Sequence, residues 1–276
     1  MPAGMSCRHG FLAAAAVALT AVPPSVLCDD AADPERQSPW RVGVAFGYGE
    51  RSNPLIQSDD IDILIDIDVA WFGKRWFFDN GDVGYTLRDD ERFTLSIIGR
   101  INSDRVFFSK TDTEHVSIFT FGAETVEEID VPDRDYAFEV GAELLTDGDW
   151  GYLQIAAHRD ASDRHHGYEL YANYGRPIRR GRWSFEPSFG FAWKSADLND
   201  YYWGVRPEEA SLFLPAYRAG SGLNTHARFV ASYRIDRRWT LLMAADYERL
   251  SKEAARSPLV AERGVRAGFA GIGFQF

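Results

Sequence analysis

The segment from Asp60 to Phe72 constrains this chain more than any other. Ile61, Ile63, Ile65, Ile67, Val69 and Trp71 fall on one alternating set, and Asp62, Leu64, Asp66, Asp68 and Ala70 on the other. A period of two places successive side chains on opposite faces of a strand, whereas a helix would spread those carboxylates around its whole circumference. The same split recurs along the chain. Phe93, Leu95, Ile97 and Ile101 stand against Thr94, Ser96, Arg100 and Asn102; Tyr136, Phe138, Val140, Ala142 and Leu144 stand against Glu139 and Glu143. Trp183, Phe185, Phe189, Phe191 and Trp193 oppose Ser184, Glu186 and Ser188, and two further segments, 227–234 and 239–248, repeat the pattern. One face is greasy and the other mostly polar, so the fold class is all-β.

Composition narrows this further. The 276 residues carry 30 Lys plus Arg against 41 Asp plus Glu, a formal charge of -11, which removes the overall electrostatic footprint of a nucleic-acid binder. After the N-terminal region no apolar run approaches the roughly 18 to 20 residues of a membrane-crossing helix, so a polytopic helical protein is excluded. Residues 1–28 have the charged, apolar and breaker layout of a secretory signal peptide: Arg8 and His9, an apolar stretch from Phe11 to Val22, then Pro23 and Pro24. Cleavage after Cys28 is expected to leave a mature chain with no cysteine, a short leader over 29–39, and one domain over 40–276.

Four places read as strand, tight polar turn, strand, with turns at 88–91, 146–149, 179–181 and 236–238. Longer connections fall between them, chiefly 103–135, 160–167, 194–223 and 251–264. Short turns at one end and long loops at the other form the asymmetry of an outer-membrane barrel. Many segments are about 10 residues long, the reach of a tilted membrane strand. The chain finishes with Ile272, Phe274 and Phe276 alternating with glycines and Gln275, the form of signal read by the barrel assembly machinery. Ten strands are clear. The Asn80-Gly81 pair inside 74–87 is a strong hairpin signal and raises the preferred count to twelve in a transmembrane antiparallel up-and-down barrel. Pro187 interrupts a strand that cannot be an edge, so a bulge is expected there.

Several stretches are similar to the MipA/OmpV family, that of the MltA-interacting protein. They are Trp40-Arg41-Val42-Gly43-Val44 through Gly47-Tyr48-Gly49, Tyr201-Tyr202-Trp203-Gly204-Val205, Leu214-Pro215-Ala216-Tyr217, and Ser257-Pro258-Leu259-Val260, in that order over 40–276. The resemblance implies an outer-membrane barrel in a Gram-negative bacterium. For the family's namesake it implies a scaffold holding a murein lytic transglycosylase together with a murein synthase. Other relatives are discussed as porins or adhesins. The stretch 105–132 departs from the family pattern, so activity borne by that loop transfers poorly.

The inward face is expected to carry Asp62, Asp66, Asp68, Glu139, Glu143, Glu169, Glu186, Asp246 and Glu248 against Arg41, Arg92, Arg100, Arg228 and Arg234. This acidic excess fits a cation-favouring pore, because carboxylate rings concentrate cations. It fits equally a closed lumen in which arginines pair the carboxylates. Tyr201, Tyr202, Trp203 and Tyr217 make an aromatic external segment that either stacks on a saccharide or host surface or packs the loop over the barrel mouth; packing is the preferred reading. His115-Val116-Ser117 has the same-face spacing of an outer-membrane lipid hydrolase. His158, Asp160, Asp163, His165 and His166 offer imidazole and carboxylate to a metal, but no ligand spacing repeats elsewhere. The reading taken is a monomeric, non-enzymatic barrel without cofactor or metal, embedded among outer-membrane lipids.

Overall fold

A computed structural model describes residues 39–108 and 131–276; the signal segment, most of the leader, and His115 with Ser117 lie outside the described residues. Thirteen strands form one antiparallel sheet. They are β1 (Trp40–Arg51), β2 (Ile61–Phe72), β3 (Trp76–Asp79), β4 (Asp82–Asp89), β5 (Thr94–Ile101), β6 (Phe138–Gly148), β7 (Gly151–Asp160), β8 (Tyr168–Gly175), β9 (Ile178–Arg180), β10 (Trp183–Lys194), β11 (Gly222–Arg234), β12 (Trp239–Arg249) and β13 (Gly264–Gln275). Apart from β8 and β9, each pairs with its sequence neighbours, and β13 returns to β1 with Phe46 opposite Ile272, which closes the cylinder. β8 and β9 both pair with β10 in one continuous register, so they are parts of a single stave and the wall has twelve.

The proline explains that break, and the expected bulge is not where it occurs. β10 pairs with β11 without a register shift, Pro187 opposite Phe229. On its other side, Pro187 presents only a carbonyl, which accepts from the Arg176 N–H at 3.0 Å. Its missing donor falls beside Arg176 and Pro177, where the neighbouring stave itself is interrupted. The irregularity is thus absorbed by the partner strand. True register shifts occur instead between Phe46 and Gly49 on β1 against β2, and between Thr86 and Arg88 on β4 against β5.

The outer face is apolar: Phe46, Tyr48, Ile65, Ile67 and Phe189 are all more than half exposed. At the tight-turn end, aromatic pairs ring the cylinder, among them Trp40–Trp71, Trp76–Tyr85, Trp150–Tyr174, Trp183–Tyr233 and Trp239–Phe274, with centroids 4.9 to 6.3 Å apart. Such girdles sit at a membrane interface, where one part of the ring is apolar and the other wet. The β3–β4 hairpin reaches only part of the way up. Its turn has Asn80 at φ 49 and Gly81 at φ +104, the pair of positive φ values that a two-residue hairpin turn requires. Asn80 then substitutes for a neighbouring strand: its Oδ1 accepts from the Val69 N–H, and its own N–H donates to the Val69 carbonyl, both at 2.9 Å. Above Val69, no described residue pairs with that edge of β2.

Candidate functional site: the lumen and its cap

The barrel interior is crossed by a buried ionic network built from neighbouring staves. Arg100 on β5 faces Glu139 on β6 in direct register. Its Nε donates to Glu139 Oε2 at 2.9 Å, and its Nη2 donates to Glu169 Oε1 on β8 at 2.7 Å. Asn102 Nδ2 donates to the other Glu139 oxygen at 2.8 Å, and His165 Nε2 stands 3.2 Å from that same oxygen. Lys194, at the top of β10, reaches both oxygens of Asp104 at 2.7 Å and lies 4.0 Å from Glu169. Side chains of Arg100, Glu139, Glu169, Lys194 and Asp104 are all at most 6% exposed. A second group lies toward the turn end: Arg41 bridges Asp68 and Asp79, and Asn80 Nδ2 donates to both carboxylates. Elsewhere in the lumen Gln154 Nε2 donates to Glu143, and Tyr152 Oη donates to Glu186 at 3.0 Å.

Of the expected inward charges, Asp66, Asp68, Arg100, Glu139, Glu143 and Glu169 are buried in the lumen, and Glu186, Arg228, Asp246 and Glu248 are partly buried. Glu248 accepts from Asn224 Nδ2 at 2.8 Å. Asp62 lies elsewhere. Leu64 and Ile65 are both exposed, so β2 changes face there; Ile63 turns in against the small lumenal cluster around Phe269, and Asp62 stands exposed opposite Glu50. Arg92 and Arg234 are exposed at the turn end and belong to the rim.

The loop end is closed by a cap. After β5, a 3-10 turn (Ser103–Phe108) brings Phe107 and Phe108 against Tyr202 and Trp203 of helix α1 (Ala196–Trp203). Leu55, Leu214, Leu250, Leu259 and Val265 complete this cluster, so the β1–β2, β5–β6, β10–β11 and β12–β13 connections converge on it. Ser195 starts the helix: its Oγ accepts from the Leu198 N–H and also from the Tyr168 N–H, tying the helix to β8. Arg134 clamps the rim through a two-pronged pair with Glu209 at 2.7 and 3.0 Å and donates to the Gly204 carbonyl. Tyr202 and Trp203 are fully buried, Tyr217 Oη donates to the Glu253 carbonyl, and Tyr201 Oη accepts from the Asp135 N–H. These aromatics pack the cap; two of the four have no surface left on which a saccharide could stack.

The histidine–aspartate group does not converge. Asp160 spends its carboxylate on Ser162 and on the N–H groups of His165 and His166; His165 points to Glu139, and His166 remains at the surface near Asp163. Among the described residues, no three His, Cys, Asp or Glu side chains are placed to hold a metal. The network and the cap escape a reading of the sequence because their members lie far apart along it, His165 and Glu139 by 26 positions and Phe107 and Trp203 by 96. The alternating polar face marks them only as inward. Ile272, Phe274 and Phe276 lie in or just beyond β13 next to β1, with Phe274 and Phe276 edge to face at 5.0 Å.

Comparison with known proteins agrees with this architecture. A family model described as MltA-interacting protein MipA matches residues 42–276. Outer membrane protein Omp26La of Vibrio anguillarum is 32% identical over 40% of this chain, a match spanning 43% of that relative's length. The MltA-interacting protein of Escherichia coli K12 is 25% identical over 80% of this chain and 84% of its own. Among solved structures, the COG4313 outer membrane channel from Pseudomonas putida F1 aligns over 89% of this chain and all of that one, with 9% identity and a TM-score of 0.42. With a twelve-stave barrel, girdled aromatics and a family match over nearly the whole described length, this chain is an outer-membrane β-barrel and belongs to the MltA-interacting protein MipA family.

Proposed function

We propose that this barrel is a non-enzymatic, non-conducting platform that holds murein-remodelling enzymes at the inner surface of the outer membrane. The observation that carries the proposal is the closed interior: a buried ionic network spans the lumen beneath an apolar cap. A path for ions would need waters where Arg100, Glu139, Glu169 and Lys194 now saturate one another. Asp68, Asp79, Asp104, Glu139 and Glu169 thus serve as partners for arginine and lysine, and a cation-favouring pore is the weaker reading. The name of the Escherichia coli relative, MltA-interacting protein, supports a murein lytic transglycosylase as one partner; a murein synthase as the second follows only from the family resemblance. Their docking surface on this chain is the set of short periplasmic turns. Purified barrel should retain a lytic transglycosylase in a pull-down and should be silent in a planar bilayer. Steady, cation-selective conductance without retention would replace the platform by a channel.

A further inference from the structure

The periplasmic rim is electrically uneven. Within residues 176–183 and 233–239 there are seven arginines, Arg176, Arg179, Arg180, Arg182, Arg234, Arg237 and Arg238, and one carboxylate, Asp236. All seven arginines are exposed. The next sector, at 88–92 and 147–149, holds five carboxylates against Arg88 and Arg92. In a chain of net charge -11, seven arginines at one end of four adjacent staves are a concentrated feature.

The fold brings the two basic turns into contact. β10 joins them: Trp183 pairs with Arg180 on one side and with Tyr233 on the other. The Arg234 N–H donates to the Arg182 carbonyl at 2.9 Å, and Arg182 Nη1 donates to the Ile235 carbonyl at 3.2 Å. Asp236 offsets only one of the seven positive charges, and its Oδ1 caps the turn by accepting from the N–H groups of Arg238 and Trp239 at 2.8 and 2.9 Å. Those hydrogen bonds hold its carboxyl below the usual range, so it remains ionised and fixes the turn.

The outer face gives the ligand's class. Arg180 shares a cross-strand row with Trp183 and Tyr233, whose rings lie 5.0 Å apart, and Ile178, one pleat further up, is 40% exposed. A guanidinium in one row with indole and phenol, and an aliphatic side chain one pleat above them, matches the step from the headgroup and interfacial zone to hydrocarbon. A soluble acidic partner would not need the arginines set against the girdle. We infer that this sector of the rim, formed by the β9–β10 and β11–β12 turns, binds the phosphates of anionic phospholipids in the periplasmic leaflet. It would thereby fix the barrel's rotational surroundings in the membrane, independently of whether the platform reading holds.

The test uses the full barrel in phosphatidylcholine vesicles containing a minor fraction of phosphatidylglycerol, with bromine on the acyl chains of one lipid or the other. Trp183 and Trp239 flank the sector and report bromine nearby by loss of fluorescence. Brominated phosphatidylglycerol should quench at least about fivefold more per molecule, the factor expected for even one arginine against an anionic surface. The R180Q/R182Q/R237Q/R238Q variant should lose this preference, and the same four changed to Lys should retain most of it; heat-modifiable gel migration verifies that each folds. Equal quenching by both lipids in the wild-type protein overturns the inference. So does an equal loss in the R88Q/R92Q control, or displacement of phosphatidylglycerol by soluble muropeptides, which would assign the sector to murein.

Discussion

Arg100 makes the closed-lumen argument quantitative. Changing it to Met removes three short polar contacts and leaves Glu139, fully buried, and Glu169, 6% exposed, with two negative charges in the interior. Breaking a buried pair by removing one partner costs about 3 to 5 kcal/mol, because the remaining charge has lost its compensation. The same loss in a hydrated pore would cost only about 0 to 1 kcal/mol, as at a protein surface. The two pictures therefore differ by several kcal/mol at one position. With a urea slope of roughly 2 kcal/mol per M, R100M should lower the unfolding midpoint by about 2 M in a dry lumen. Adding E139Q and E169Q should recover much of that, since neutral amides remove the stranded charges. The assay is urea unfolding of the barrel in lipid vesicles, followed by tryptophan fluorescence and gel migration. A midpoint displaced by less than about 0.5 M, or a triple variant no better than R100M, would refute the reasoning that the network is desolvated.

Other consequences follow from the cap and the short hairpin. W203A removes the largest fully buried side chain of the apolar cluster and should cost about 3 to 5 kcal/mol, seen as protease cleavage in the 196–221 connection while the strands stay resistant. S195A deletes the acceptor shared by the Leu198 and Tyr168 N–H groups and should cost about 1 kcal/mol, read as faster amide exchange in α1. G81A places a Cβ at φ +104 and should destabilise the β3–β4 turn by roughly 1 to 2 kcal/mol, measured as a lowered thermal midpoint. Burial pushes Glu209 up, but the Arg134 hydrogen bonds outweigh it and hold the carboxyl below its ordinary 4.5. Its contribution is then fully present above pH 4.5 and fades as the pH falls through the lower folded value. Amide exchange around Gly204 should accelerate over that acidic range in the wild-type protein and lose this component of its pH dependence in E209Q.

Much of this protein is legible in its amino-acid order. The two-residue pleat is a local property, so Ile65, Ile67 and Phe189 announce an apolar outer face, and Asp66, Glu139 and Glu169 a polar inner one, before any partner strand is known. Asn80-Gly81 announces a hairpin for the same reason, and the count of twelve staves follows from it. Local rules also mislead where a neighbour takes up the irregularity: Pro187 lies in an unshifted strand because the stave beside it breaks at Arg176–Pro177, and Asp62 leaves the lumen because β2 changes face at Leu64–Ile65. Only the closed cylinder decides which inward charges meet. Arg100 finds Glu169 across 69 positions, Lys194 finds Asp104 across 90, and Phe108 finds Trp203 above them both. Those encounters depend on strand stagger and on connections folding back over the mouth, and both are set by pairing distant segments rather than by the pattern within any one of them.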